Sequence, residues 1–328
     1  MAGADDRLIV GVDLGGTNVR ACVATAQDRI IAHVRKPTPA EDGPEAVVDR
    51  VAESVREVVA TVGGDLKQVR GVGVGAPGPL DMTTGVVFSP PNLARWKNVP
   101  LAKLLEKRLG IPVSVANDAN LAAVGEHRFG GGRGVDDLVY ITVSTGVGGG
   151  VIVGGKLFVG VSGTAGEIGH MIVDLNGPRC KCGSYGCLEA MAAGPYIARA
   201  GQLAARQAPA SLLATWTTGD SDRVTTAMVV EAAQAGDATA GTVFERAAIA
   251  VGAGCVNLIH LFNPRRIIIG GGVSQAGTLL FDPIRRLVGQ RALAIPRDAC
   301  EIVPAELGDD VGLYGAVALV AQGVETLV

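Results

Sequence analysis

The 328-residue chain is long enough for two packed cores, and 48% of it is hydrophobic, enough to fill them. Its formal net charge is -3, with Lys and Arg scattered, so no basic stripe exists to neutralise a phosphate backbone and nucleic acid is not an expected partner. The opening from Met1 to Arg7 is polar and acidic and no long uncharged apolar run follows, which predicts a cytoplasmic protein with no membrane association.

Aromatic residues make up only 4% of the chain while glycine numbers 47, so the core is built from Val, Ala, Leu and Ile and the backbone turns often, as in α/β enzymes. Leu8 to Leu14 and Val19 to Thr25 are β-branched runs joined by Gly15-Gly16-Thr17-Asn18, and Ile30 to Lys36 adds a third strand to an antiparallel meander. Pro44 to Val62 carries valines at helical spacing, with Pro44 suited to a first turn and Gly63-Gly64 just past the end, which predicts a helix. A strand over Val69 to Ala76, a helix over Leu101 to Leu109 stopped by Gly110, a strand over Ile111 to Ala116 and a helix over Ala119 to Phe129 follow. After Gly130-Gly131-Gly132 the pattern restarts, with strands at Leu138 to Ser144 and Val151 to Val153 around a turn from Thr145 to Gly150. Gln207 to Thr226 reads as a variable loop with short helical turns. A long helix from about Asp237 to Phe262 leads to a strand at Arg266 to Ile269 and a third glycine turn, Gly270-Gly271-Gly272. Val311 to Ala321 is a small-residue helix after Asp309-Asp310. Strand, glycine turn with a hydroxyl residue, strand thus occurs twice, the mark of internal duplication.

Glycine turns raise the question of nucleotide chemistry, and two standard motifs fail on context. Gly150-x4-Gly155-Lys156 is followed by Leu157 where a Ser or Thr must reach magnesium. Gly73-Val74-Gly75-Ala76-Pro77-Gly78 matches a dinucleotide fingerprint by letter, but Pro77 and Pro79 forbid the helix that receives the pyrophosphate. Asp13-Leu14-Gly15-Gly16-Thr17-Asn18 remains, a hairpin whose exposed N–H groups can cradle an anion and whose Asp13 can orient magnesium-bound waters. Taken alone, its glycines would do no more than satisfy turn geometry. Repetition at Ser144 to Gly150 and Gly270 to Gly272 tips the reading towards phosphate, with Thr145, Gly146, Gly270 and Gly271 as further contacts for phosphate and magnesium.

Four motifs, Val12 to Asn18, Ala116-Asn117-Asp118-Ala119-Asn120, Gly163 to His170 and Cys180-x-Cys182-Gly183-x2-Gly186-Cys187-x-Glu189, occur in the order of the repressor, open reading frame and kinase (ROK) family. The chain resembles the glucokinase branch of that family from about Leu8 to its C-terminus. The resemblance implies an actin-like (ribonuclease H-like) duplicated two-domain α/β ATPase fold, ATP bound between the lobes, phosphorylation of glucose at O6, and a homodimer or homotetramer. It places a small domain over residues 1–118, joined by the C-terminal helix at about 310–328, and a large domain over 119–309 with a zinc loop at 170–187. Repressor members carry an added N-terminal helix-turn-helix domain, whereas the first strand here begins at Leu8, which favours the kinase branch.

Phosphoryl transfer to a sugar hydroxyl needs a group to take the proton, and Asp118, between a strand and a helix at a sheet's C-terminal edge, is the candidate base. The simpler role for an Asp there is a helix cap, and the two do not exclude each other. Asn117, Glu167, His170 and Glu189 resemble the family's glucose contacts, with Asn92 of Pro91-Asn92-Leu93-x2-Trp96 a further candidate; for the two glutamates the alternative is solvated surface charge. His170, Cys180, Cys182 and Cys187 form a three-thiolate, one-imidazole set that suits a structural zinc, since four protein ligands leave no open position. A disulfide leaves one cysteine over, and Cys180-x-Cys182 is too short for an easy bridge. Bound by one ring nitrogen, His170 can donate from the other to a sugar hydroxyl. Cys22, Cys255 and Cys300 read as core residues. Competing readings are a kinase for N-acetylmannosamine, N-acetylglucosamine or fructose, polyphosphate in place of ATP, a catalytically silent sugar sensor, and a filament protein.

Overall fold

The computed structural model describes residues 7–90 and 92–328; the polar opening at Met1 and Pro91 of the Asn92 motif lie outside the described residues. The expected meander forms from β1 (Leu8–Leu14), β2 (Asn18–Ala24) and β3 (Ile30–Pro37), each antiparallel to the next. Strand β3 alternates half-buried and exposed residues, as an edge strand with one wet face does, whereas β1 is buried along most of its length. Helix α1 (Pro44–Thr61) buries the valine stripe read from the sequence. Strand β4 (Val69–Ala76) is followed by β5 (Leu80–Asp81), β6 (Val86–Val87) and β7 (Val99–Pro100), which make a small sheet of their own, then α2 (Leu101–Leu109), β8 (Val113–Asn117) and α3 (Asp118–Phe129). The first large sheet has the order β3-β2-β1-β4-β8, with β1, β4 and β8 parallel.

The second half repeats the plan. Strands β9 (Leu138–Val143), β10 (Val147–Val153) and β11 (Lys156–Leu157) are followed by α4 (Leu188–Ala192), α5 (Gly194–Gln207), α6 (Leu212–Trp216), α7 (Thr226–Gln234) and α8 (Ala238–Phe262). Then come β12 (Arg266–Gly270), α9 (Thr278–Arg291), α10 (Ala294–Ala299), β13 (Glu301–Pro304), α11 (Val311–Gln322) and α12 (Val324–Leu327). The order β11-β10-β9-β12-β13, with β12 parallel to β9 and to β13, matches the first sheet strand for strand. The turn expected over Thr145 to Gly150 is shorter than read, because Gly148, Gly149 and Gly150 belong to β10. A side chain at Gly149 would collide with Ile168, and a Cβ at Gly150 would lie 2.7 Å from Ala123 Cβ, so these glycines serve close packing against a strand.

Two compact units result. Unit one holds the described residues up to Asp136, with Gly150–Gly166 and Glu306–Val328; unit two holds Asp137–Gly149 and Glu167–Ala305. In unit one α11 packs on α3, β1 and β4. A Cβ at Gly73 would strike the carbonyl of Ala316 and one at Gly315 that of Leu121, so the small residues of these elements set how near the helix comes. Glu126 of α3 is fully buried, and its carboxylate accepts from the N–H groups of Gly131 (2.8 Å), Glu306 (3.0 Å) and Leu307 (2.9 Å). In unit two α8 packs against α4, α5, α7 and α9. Among the described residues only α8 is long and apolar enough to cross a membrane, and 56% of its apolar window is buried inside the protein.

Candidate functional site

In unit one the functional side chains collect at the C-terminal ends of parallel strands. Asp13 of β1 lies beside Gly75 of β4, and Ala76 beside Asn117 of β8, the edge at which α/β sheets bind ligands. The turn after β1 is held from within: Gly15 N–H donates to Asn18 O (2.9 Å), Thr38 N–H to Thr17 O (2.9 Å) and the Thr38 hydroxyl to Gly15 O (2.7 Å). The N–H groups of Gly16 and Thr17 have no acceptor among the described residues, which is what an anion cradle requires. Asn92 is exposed and packs on this turn, since a Cβ at Gly16 would lie 2.8 Å from its carbonyl oxygen.

Helix α3 begins at the candidate base. The Asn117 side chain accepts from the N–H groups of Ala119 (3.0 Å) and Asn120 (3.1 Å), so the cap role falls to Asn117. Asp118 is the first helical residue, and its Oδ1 accepts from Ala119 N–H at 2.8 Å. A carboxylate in a first turn is favoured by the helix dipole. Asp13 has a partner that spacing did not reveal. Arg20, opposite it in the β1–β2 register, donates to Asp13 Oδ2 from Nη2 (2.8 Å) and Nε (3.3 Å), and also bonds the carbonyl of Asp309.

In unit two the glycine turns meet each other. Ser144 N–H donates to Gly146 O (2.8 Å), closing the turn between β9 and β10, while the N–H groups of Thr145 and Gly146 find no acceptor among the described residues. Gly271, at φ +85°, sits against this strand end: a Cβ there would lie 2.5 Å from Val143 O and 2.8 Å from the Thr142 hydroxyl, while Gly270 packs on the Tyr140 ring. Glu189 reaches the same turn, accepting from Val147 N–H at 3.1 Å. Its other oxygen lies 3.9 Å from Cys180 Sγ. Glu167 is exposed and precedes the single helical turn Ile168–His170.

The four residues of the expected metal set come together: their ligand atoms all lie within 4.8 Å of one another. Cys182 Sγ and Cys187 Sγ are 3.7 Å apart, and Cys180 Sγ is 3.9 Å from His170 Nδ1. Two sulfurs about 2.3 Å from a tetrahedral zinc stand about 3.7 Å from each other, whereas a disulfide brings them to about 2.05 Å. The loop is held by Cys180 N–H to Ser184 O (2.8 Å) and Gly186 N–H to Pro178 O (2.8 Å), with Gly183 at φ +97° and Gly186 at φ +67°. Burial pushes the Cys187 thiol up to about 12 and raises that of Cys180, while the Ser184 N–H beside Cys182 lowers its thiol. The buried thiols of Cys180 and Cys187 thus need a cation beside them to become thiolates, whereas Cys182 gives up its proton more readily. Donor type and spacing fit zinc. Of the remaining cysteines, Cys22 and Cys255 are fully buried and Cys300 is half-buried. His260 accepts from Leu293 N–H at 3.0 Å.

Comparison with known proteins identifies the class. The ROK family model matches residues 9–323, and the chain belongs to the ROK family. It is 37% identical over 316 residues to the glucokinase of Thermotoga maritima, spanning 96% of this chain and 98% of that protein. It is 38% identical over 322 residues to the glucokinase of Streptomyces coelicolor, spanning 96% and 98%. The crystal structure of a ROK family glucokinase from Streptomyces griseus in complex with glucose and AMPPNP aligns with a TM-score of 0.82 at 40% identity, covering 96% of this chain and all of that one. The fold is accordingly that of the actin-like ATPases among which the ROK sugar kinases fall.

Proposed function

We propose that the chain is a sugar kinase that transfers the γ-phosphoryl group of magnesium ATP to O6 of glucose. The observation that carries this is the β8–α3 junction, where Asn117 takes over the helix cap and Asp118 stands as the first helical residue at the edge where β1 presents its glycine turn. Asp118 takes the proton of the attacking hydroxyl as the bond to phosphorus forms. The free N–H groups of Gly16 and Thr17 bind phosphate oxygens, with Asn18 beside them at the start of β2; Thr145, Gly146, Gly270 and Gly271 serve the nucleotide from unit two. Asp13, its rotamer fixed by Arg20, orients the waters of magnesium. Asn92, Asn117, Glu167, His170 and Glu189 pair the sugar hydroxyls, which once removed from water need partners.

Zinc held by His170 Nδ1, Cys180, Cys182 and Cys187 would fix the loop that carries His170 and precedes Glu189, leaving His170 Nε2–H to donate to a hydroxyl. The similarity to glucokinases supports glucose as substrate. We place the enzyme in the cytoplasm, as a homodimer or homotetramer, with α8 as a core helix. The test is ADP release from magnesium ATP with glucose, mannose, fructose, N-acetylglucosamine and N-acetylmannosamine in turn. Glucose should give the highest kcat/KM, and Asp118→Asn should lower kcat by about a hundred- to ten-thousandfold. Turnover on another hexose alone would move the substrate, and none on any of them by zinc-replete protein would leave a sugar sensor.

A further inference from the structure

Unit two contains a cavity of about 810 Å³ that none of the residues assigned above to sugar, nucleotide or zinc lines. It runs along α5 and α8 beside Asp174 to Arg179, and a neighbouring cavity of about 440 Å³ shares Arg179, Tyr196 and Arg199 with it. Its size falls in the range of small-molecule sites, roughly 300–1,000 Å³. The floor is apolar and firmly packed: Ile197, Ala190 and Ala247 line it and are almost wholly buried.

The rim is cationic. Arg179, Arg199 and Arg246 line the larger cavity against a single carboxylate, Asp174, which already accepts from Asn176 N–H at 2.9 Å; the smaller cavity is lined by Lys181 and also by Cys180 of the zinc set. Some arginines of this unit are held by carboxylates, Arg206 by Asp222, Arg266 by Glu301, Arg286 by Glu245 and Arg297 by Asp298. The three arginines of the cavity have no carboxylate partner among the described residues. Three exposed arginines around an apolar floor give this face a positive potential that attracts an anion, in a chain whose net charge is -3.

We propose that this cavity binds a small phosphate monoester that carries an apolar body. Guanidinium forks recognise phosphate oxygens through paired, charge-assisted hydrogen bonds. The surplus of cations over carboxylates exceeds one charge, which favours a phosphate dianion over a monoanionic carboxylate. The apolar floor takes the rest of the molecule, and Tyr196 offers a ring for it to pack on. The site is independent of the phosphoryl-transfer reaction. It does border the zinc loop, because Arg179 precedes Cys180 and the carbonyl of Pro178 accepts from Gly186 N–H.

Isothermal titration of the zinc-replete full chain with phenyl phosphate, alongside phenol, benzoate and inorganic phosphate, tests the proposal. Phenyl phosphate should saturate one site, and each of the other three should bind at least about tenfold more weakly. Arg199→Gln with Arg246→Gln should weaken phenyl phosphate by at least about tenfold without lowering the melting temperature. Arg199→Lys with Arg246→Lys, which keeps the charge but loses the fork, should fall between. Absence of saturable binding, or binding unchanged in the glutamine pair, would overturn the proposal. So would sedimentation showing an oligomer of the wild type that the glutamine pair dissociates while phenyl phosphate never binds, since the face would then belong to a second copy of the chain.

Discussion

The loop of His170, Cys180, Cys182 and Cys187 and the socket around Glu126 both gather ionisable groups, and they differ in what answers those groups. Around Glu126 the chain answers for itself: three backbone N–H groups, from Gly131, Glu306 and Leu307, point at a carboxylate that sees no water. In the cysteine loop two pairs of donor atoms lie 3.7 and 3.9 Å apart and all four lie within 4.8 Å of one another, and no arrangement of thiols and an imidazole satisfies such a cluster as fully as a cation does. A buried polar group that is complete within the chain is a structural device. A half-exposed donor cluster such as the cysteine loop, whose side chains suit an ion better than one another, marks a place where the chain can meet its surroundings.

Metal removal should therefore produce the largest effect. Zinc supplies on the order of 10 kcal/mol to small domains that fold around it, and a loop anchored in a larger unit should register a good part of that. Dialysis against a strong chelator should take metal content from about one zinc per chain to near zero, lower the melting temperature by many degrees and abolish sugar phosphorylation; Cys187→Ser should do the same. Unit one should keep its melting behaviour. An unchanged melting curve after metal loss would collapse the distinction between the two regions.

Glu126→Ala comes next. It takes the carboxylate acceptor from the buried N–H of Gly131 and from the part-buried N–H groups of Glu306 and Leu307 and leaves a cavity beside them, which should destabilise unit one by about 3 kcal/mol in urea unfolding. Glu126→Gln keeps the volume and one acceptor oxygen but turns an NH2 group towards N–H donors, for about 2 kcal/mol. Neither change should alter zinc content. Gly186→Ala probes the cysteine loop without touching a ligand. Its φ of +67° and the nearness of the Asp174 carbonyl leave no room for a Cβ, so a loss of about 2 kcal/mol and weaker zinc retention are expected.

The sequence made the cysteine loop visible and hid the socket, for a physical reason. Structural metal loops typically space their ligands closely along the chain, so Cys180, Cys182 and Cys187 announce themselves, and Gly183 and Gly186 mark the turn between them. Glu126 draws on Glu306 and Leu307, some 180 residues away, and nothing in its neighbourhood signals that partnership beyond a charge set among small residues. The pairing of Arg20 with Asp13 depended in the same way on strand register. Helices α1 and α2 were legible because valines and leucines recur at helical spacing with glycine stops. Helices α5 and α9 were not, their buried faces being built from a few residues such as Ile197, Gly201 and Ala205 or interrupted by Pro283. The glycines of β10 read as turn because a strand bare of side chains has no pattern, although its neighbours Ile168 and Ala123 account for Gly149 and Gly150.

The smallest effect separates Glu126 from its neighbour in sequence. His127 is half-buried, and burial holds its imidazole below the ordinary histidine range, with Asp136 opposing the shift. The unfolded chain then takes up a proton near pH 6.5 that the folded chain resists, so stability is full above that pH and declines as the pH falls through the lowered value. Urea midpoints measured between pH 7.5 and 5 should drop for the wild type, and His127→Gln should flatten that drop. A decline of the same size in His127→Gln would show that the imidazole is not the group that takes up the proton, and would leave the Glu126 socket and its neighbour undistinguished by pH.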